Sequence, residues 1–289
     1  MTFKKTSKRH FIQVIFFLIQ NPLLKNFING NIYQGSLKKF CTPGLNCYSC
    51  PAAITACPIG ATQFFLAGYR QSISMFVTGF LIITGVVFGR FICGYLCPFG
   101  LLQDLLYKIK SVKIKTPLHF LRYIKYLILA LFVIILPYFI RHNLSGIGDP
   151  WFCKYICPSG MVFGAFPLLN TNDFLHELIG MQFIIKTTIV IGVLFTTIFI
   201  FRFFCRVLCP LGAFYSFFNP ISFLRICCDK KKCINCGNCA AVCNIKINPS
   251  TAPNSPECVR CNSCVSACKT NAISNQLKSL EKPKIRKRV

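Results

Sequence analysis

The sequence predicts an α-helical membrane protein with about four transmembrane helices, followed by a small α+β domain at its C-terminal end. Three observations point there. Apolar residues make up 54% of the 289 residues and charged residues 14%, against about 25% charged in soluble domains. The apolar residues gather into runs close to the roughly 20 residues that cross a hydrocarbon core. Beyond residue 225 those runs stop, and two regularly spaced blocks of four cysteines take their place. The expected organisation is therefore a membrane part over 1–225, a cysteine-rich domain over 226–276 and a basic tail over 277–289.

The first apolar segment, from about Phe11 to Ile28, is interrupted by Gln20-Asn21-Pro22 and is the weakest span. No small-x-small cleavage site follows it, so it reads as retained. Ile73 to Ile92 is the second span, with Gly79, Gly85 and Gly89 spaced for close helix packing. The third runs from about Leu121 to Ile140, with Arg122 and Lys125 able to snorkel at its start. The fourth runs from Gln182 to Phe203, with Lys186 near one end. Gly100–Ile109 and Gly212–Leu224 are amphipathic and expected at the interface.

Positive charge sets the orientation. Lys4, Lys5, Lys8 and Arg9 precede the first span, and Lys108, Lys110, Lys113, Lys115, Arg122 and Lys125 surround the second connection. More follow Cys205. The other connections are poorer, with Lys25, Lys38, Lys39 and Arg70 in one and Arg141 and Lys154 in the other. Both termini are expected on the cytoplasmic side of a cytoplasmic (inner) membrane. The formal charge of +26 is then explained by span flanks and anionic lipid, the tail Lys278–Arg288 included. Without a recognition motif it does not point to nucleic acid.

Twenty residues are cysteine. Two copies of C-x2-C-x2-C-x3-C stand at the C-terminal end: Cys233, Cys236, Cys239, Cys243, then Cys258, Cys261, Cys264, Cys268. This is the bacterial two-cluster ferredoxin spacing, in which the fourth cysteine of each run ligates the other run's cluster. One [4Fe–4S] set is then Cys233, Cys236, Cys239 and Cys268, and the other Cys258, Cys261, Cys264 and Cys243. The usual proline after the fourth cysteine is replaced by Asn244 and Lys269.

Upstream, C-x3-C-P-x-G occurs three times, at Cys93/Cys97, Cys153/Cys157 and Cys205/Cys209. A three-residue gap puts both sulfurs on one helical face, and the proline ends the preceding turn. Residues 88–100 resemble residues 200–212, so Cys93, Cys97, Cys205 and Cys209 are expected to form one site at the inner membrane face. A second group, Cys41, Cys47, Cys50, Cys57, Cys153 and Cys157, falls on the outer side. Four of these could bind a cluster and two could be spare or disulfide-bonded, or the group forms disulfides if that face is oxidising, so the membrane motifs together are expected to hold one or two further [4Fe–4S] clusters. Cys227 and Cys228 fit no pattern and read as spare thiols.

Other chemistry is sparse. No C-x-x-C-H occurs, so haem is not expected. His119 and His142 lie at opposite ends of one span. His142, His176 and Asp149 are weak candidates for a quinone pocket or proton handling. No phosphate loop, dinucleotide fingerprint, Ser/His/Asp or H-E-x-x-H arrangement is present. Lys230, Lys231, Lys232, Arg260 and Lys269 would give the cysteine-rich domain a basic surface that favours acidic redox partners.

Together, Cys93-Gly-Tyr-Leu-Cys-Pro, Cys205-Arg-Val-Leu-Cys-Pro, the two ferredoxin runs and the short first span resemble the NapH-type membrane polyferredoxins, which are related to the membrane part of NosR. Leu45-Asn-Cys-Tyr-Ser-Cys-Pro51 and Trp151-Phe-Cys-Lys-Tyr-Ile-Cys-Pro158 look like a subgroup in anaerobic bacteria. The resemblance implies electron transfer between a quinol or a cytoplasmic donor and a redox partner, as in a quinol dehydrogenase-type subunit. A membrane-bound redox sensor or assembly factor, and a zinc-binding membrane scaffold, are the other function classes that such a cysteine set serves.

Overall fold

A computed structural model describes residues 3–68, 73–116, 118, 120–142, 146–177 and 179–277. His119, Arg70 and the basic stretch Lys278–Arg288 lie outside the described residues. The fold is mostly helical. The first helix, Phe3–Gln20, ends where Asn21-Pro22 breaks the turn, so the predicted 11–28 segment is a helix displaced towards the N-terminus, followed by the one-turn helix Asn26–Asn29.

Two helical runs are long and apolar enough to cross a membrane, Leu121–Phe139 and Met181–Phe199. Only 22% and 17% of them is buried. Their apolar faces, with Leu127, Phe139, Ile191 and Phe195 outward, are therefore not covered by protein. The second predicted span is shorter than expected. Its helix is Met75–Phe88, 14 residues, because Gly89 turns into the positive-φ region (φ 53°) and ends it. Residues Phe91–Tyr95 then form a separate short helix. Of the three glycines in the predicted span, Gly85 and Gly89 pack closely, where a Cβ would meet the Phe218 ring at 2.8 Å and Asn219 Oδ1 at 3.0 Å, and Gly79 does not.

Proline shapes the remaining helices in two ways. Each C-P-x-G motif starts a helix with its proline in the first turn: Pro58–Ala67, Pro98–Tyr107, Pro158–Gly160 and Pro210–Phe218. The missing N–H is one the helix would not have used there. The cysteine before each proline is extended, as a capping residue must be. Prolines also follow the three π-helical stretches, Leu129–Ile135, Phe152–Ile156 and Met161–Ala165. Pro137, Pro158 and Pro167 each stand two residues past the stretch. A widened turn relieves the clash of the ring with the preceding turn's carbonyl.

The C-terminal unit is bracketed by an antiparallel strand pair, Leu224–Cys228 with Ile273–Leu277, in the register Ile226↔Asn275. Between the strands lie the two cysteine runs and the short helices Asn238–Ala241 and Ser263–Ala267. The helical part has one main apolar core, and it is built around thiols. Cys57, Cys93, Cys97, Cys157, Cys205 and Cys209 are buried in it among Phe99, Phe152, Phe204 and Tyr215.

Candidate metal centres

All twenty cysteines are free thiols. The thiols of Cys233, Cys236, Cys239 and Cys268 line one cavity of about 220 Å³. Those of Cys243, Cys258, Cys261 and Cys264 line a narrower one of about 30 Å³. The structure thus brings together both quartets that the crossed ligation pattern predicts. Backbone N–H groups already point at some of these sulfurs; Ala272 N donates to Cys268 Sγ at 3.2 Å. Burial and the neighbouring Cys261 push the Cys258 thiol up to about 11.

Cys93, Cys97, Cys205 and Cys209 also converge. Burial, followed by the adjoining Cys97 and Cys93, raises the Cys205 thiol to about 12. The two halves of this site hold each other by exchanged arginines. Arg90, three residues before Cys93, donates from its guanidinium to the Cys205 carbonyl at 2.9 Å. Arg202, three residues before Cys205, donates to the Cys93 carbonyl at 2.5 Å. Gly100 and Gly212 occupy matching corners: a Cβ on either would come within 2.9 Å of the Cys93 or Cys205 carbonyl. The sulfurs receive N–H donors of their own. Leu45 N donates to Cys97 at 3.4 Å, Gln103 Nε2 to Cys205 at 3.0 Å and Gly212 N to Cys209 at 3.3 Å. Such donors stabilise thiolate and tune a bound metal.

Each arginine has its own carboxylate. Arg202 pairs with Asp104 at 2.5 Å, and Arg9 joins that carboxylate at 2.9 Å. Burial alone would raise Asp104, but Arg202 and Arg9 outweigh it and hold the carboxyl below its usual range. Arg90 instead reaches out of the helical part, to Glu257 at 3.3 Å and to the Pro256 carbonyl at 2.9 Å. Glu257 immediately precedes Cys258 of the second ferredoxin run. Lys125 joins it at 2.7 Å. Lys125 is therefore fully buried in an ion triad and does not snorkel; a buried acid within reach is a better partner than the interface.

Further contacts seal this seam. Arg260 donates to the carbonyls of Phe88, Leu224 and Asn219, and Asn262 Nδ2 to Tyr95 Oη at 2.8 Å. Arg260 is 1% exposed, so it leaves the predicted basic surface, where Lys230, Lys231, Lys232 and Lys269 remain exposed.

The outer group divides. Cys47, Cys57, Cys153 and Cys157 line a cavity of about 380 Å³ with Lys186 and Ser159. Cys41 and Cys50 do not line it. Cys50 is buried beside Ala52 and Ala53, with Sγ 3.7 Å from Asn21 Oδ1. Cys41 sits in an isolated bridge to Ala56. Cys227 and Cys228 lie in the first strand, and Cys228 approaches Cys233. Asp149 is engaged by Lys154 at 2.6 Å and His142 at 3.3 Å, and His176 by the Leu169 carbonyl at 3.0 Å.

Among the described residues, no three His, Cys, Asp or Glu side chains converge tightly enough to share one metal ion. Quartets of soft sulfur donors, several of them supplied with N–H groups, are a donor set that suits iron–sulfur clusters.

What sequence reading missed is the scaffold behind the thiols. The exchanged Arg90 and Arg202 stand in the repeat itself, at the same offset before the cysteine. Gln103 follows Cys97 by six residues, just as Gln63 follows Cys57. Those offsets were the available signals.

Comparison with known proteins agrees with this geometry. Two family models, each described as a 4Fe-4S binding domain, match the chain, one over 69–117 and 187–225 and one over 254–274. The first spans Cys93, Cys97, Cys205 and Cys209, and the second Cys258 to Cys268. The chain is thus an iron–sulfur protein with 4Fe–4S binding domains in both its helical and its C-terminal part. It resembles Uncharacterized protein MJ0750 of Methanocaldococcus jannaschii, 30% identical over 58% of this chain and 63% of the relative. MJ0749 of the same organism is 27% identical over 65% of each. "Putative electron transport protein YccM" of Escherichia coli K12 is 26% identical over 63% of this chain and 48% of the relative. The chain thus matches less than two thirds of the length of each relative. No solved structure matches.

Proposed function

We propose that this protein is a NapH-type membrane electron carrier in which the ferredoxin unit exchanges electrons with a cluster held by Cys93, Cys97, Cys205 and Cys209. One observation carries the reading: the loop that begins the second ferredoxin run is keyed onto the arginine-clamped site. Arg90 touches both at once, through the Cys205 carbonyl and Glu257. Gly94, next to Cys93, lies against the Val259 backbone, where a Cβ would come within 2.7 Å of the carbonyl. The electron-transport name of one relative agrees with this reading.

Bound [4Fe–4S] clusters supply one-electron exchange with no bond made or broken. The chain fixes the two thiolate sets against one another, excludes water from the membrane set and sets the charge around each. Four spans, with Phe3–Gln20 and Met75–Phe88 joining the two long helices, and a cytoplasmic ferredoxin unit complete the arrangement. The exposed Lys230–Lys232 run would steer an acidic donor or acceptor protein, and quinone is the membrane-phase alternative.

The test is iron and acid-labile sulfide content of anaerobically purified protein, with EPR after dithionite reduction. Cys205→Ser with Cys209→Ser should remove about four irons and leave the ferredoxin signals in place. On partial reduction, the wild type should show magnetic coupling between ferredoxin and membrane clusters that the variant lacks. Retention of all iron, or zinc in its place, refutes the assignment.

A further inference from the structure

We propose that the cavity lined by Cys47, Cys57, Cys153 and Cys157 is a further iron–sulfur cluster site, built on the plan of the arginine-clamped site with lysines in place of the arginines. It rests on the reading of the chain as an iron–sulfur protein and adds a ligand set that neither matched 4Fe-4S segment covers.

The parallels are atomic. In the clamped site, Cys97-Pro-Phe-Gly-Leu-Leu-Gln103 places Gln103 to donate to Cys205, the first cysteine of the facing C-x3-C. In the cavity, Cys57-Pro-Ile-Gly-Ala-Thr-Gln63 places Gln63 to donate to Cys153, the first cysteine of its facing C-x3-C, at 3.3 Å. Gln63 is fully buried, and its Oε1 accepts from Phe152 N at 2.9 Å, which fixes the amide with its N–H towards sulfur. Arg90 donates to the Cys205 carbonyl; Lys186 donates to the Cys153 carbonyl at 2.7 Å. Arg202 donates to the carbonyl four residues before Cys97; Lys38 donates to the carbonyl of Ala53, four residues before Cys57, at 2.7 Å.

One ligand differs. Where the clamped site has Cys93, this half has Ala53, and the chain before Cys57 is not helical. The loop supplies Cys47 instead, whose sulfur would lie 3.6 Å from a Cβ on Gly160.

Two further observations point to an occupant. Lys186 lies within an apolar spanning helix, where a cation needs a counter-charge. Among the described residues no carboxylate pairs with it, whereas Lys186 Nζ and Cys47 Sγ lie 3.7 and 3.6 Å from one Cβ position on Gly160, and Cys157 lines the same cavity. Thiolates around a cluster would supply that counter-charge. Ser159 also lines the cavity, is fully buried, and its hydroxyl has no hydrogen-bond partner. A buried hydroxyl left unpaired costs about 1–3 kcal/mol, and a cluster sulfur would accept from it.

Iron per chain tests this in full-length protein. Wild type should hold about sixteen irons, Cys57→Ser with Cys157→Ser about twelve, and Cys41→Ser with Cys50→Ser about sixteen. The EPR of the ferredoxin pair should persist in all three, which shows that they fold. Wild type with about twelve irons, unchanged in the first variant, overturns this site and leaves the electron-carrier reading standing. Zinc throughout overturns both. A measurement on wild type alone covers a variant that does not fold. Alkylation in denaturant without reductant, read by mass spectrometry, should find Cys47, Cys57, Cys153 and Cys157 all as thiols. A disulfide within that set refutes the proposal.

Discussion

Glu257 is the point at which the ferredoxin unit and the membrane part depend on each other, and Glu257→Gln tests that dependence. The carboxylate serves two cations, Lys125 at 2.7 Å and Arg90 at 3.3 Å, both fully buried. A unit charge pair about 4 Å apart at an effective dielectric near 20 is worth about 4 kcal/mol. Two attractions and one Lys125–Arg90 repulsion therefore leave a net attraction of about one pair. The amide keeps the shape and removes the charge, so the attractions vanish and the repulsion stays. Losing one partner of a buried ion pair costs about 3–5 kcal/mol. The assay is hydrogen exchange of the amides in 254–277 in cluster-loaded, detergent-solubilised protein. At 1.4 kcal/mol per tenfold, protection should fall by a factor of about 10² to a few times 10³. Lys125→Met in the Glu257→Gln background should recover part of it, because the unpaired cation is then gone. A fall below tenfold, or no recovery, refutes the claim that this triad holds the unit in place.

Other outcomes follow from the same contacts. Burial pushes Glu257 up, but Arg90 and Lys125 outweigh it and hold the carboxyl below its ordinary 4.5. Its stabilisation is thus complete above about 4.5 and fades as pH falls through the lower folded value. Exchange protection in 254–277 should drop there in wild type, and this acid-sensitive component should be absent from Glu257→Gln. Gly94→Ala puts a Cβ within 2.7 Å of the Val259 carbonyl. That should cost about 1–3 kcal/mol, read as faster exchange at the seam, while Gly79→Ala, with nothing within 4 Å, should be silent. Gln103→Leu removes the N–H to Cys205 and should lower that cluster's potential in a redox titration. A loss of about 1.4 kcal/mol corresponds to about 59 mV for one electron. Replacing Lys230, Lys231 and Lys232 by glutamate should slow association with an acidic redox protein and flatten its salt dependence, measured by stopped flow.

The grouping of the cysteines is legible in the sequence and the contacts that support it much less so. Cysteine spacing is a local property, so the crossed ferredoxin quartets and the pairing of 88–100 with 200–212 can be read along the chain. Helix length is less local. Nothing in the apolar run 73–92 marks Gly89 as a stop, since a glycine in a membrane helix is also a packing residue; its positive φ, and the Asn219 and Ser222 oxygens that a Cβ there would meet at 3.0 and 3.1 Å, come from distant segments. Lys125 looked like a snorkelling residue because its partner, Glu257, is 132 positions away. Arg260 looked like surface charge for the same reason, its acceptors being carbonyls of distant segments. The two missing cysteines of the outer six, Cys41 and Cys50, are told apart from Cys47 and Cys57 only by the path of the loop.

The exchanged arginines also say why the clamped site needs the ferredoxin unit. Its two halves are equivalent in their offsets, their glycines and their carbonyl acceptors. They differ in what neutralises the arginine. Arg202 finds Asp104 within the membrane part, but Arg90 finds its carboxylate only on Glu257. Without the C-terminal unit, Arg90 and Lys125 would both lose the carboxylate they share. The membrane half of the site is therefore electrostatically incomplete alone. Removing residues 224–289 should destabilise the Cys93/Cys205 site as well as delete the ferredoxin clusters. In that truncation Arg90→Met with Lys125→Met should restore the iron bound by Cys93, Cys97, Cys205 and Cys209. If the truncated protein keeps that iron without the two substitutions, the dependence argued from Glu257 is wrong.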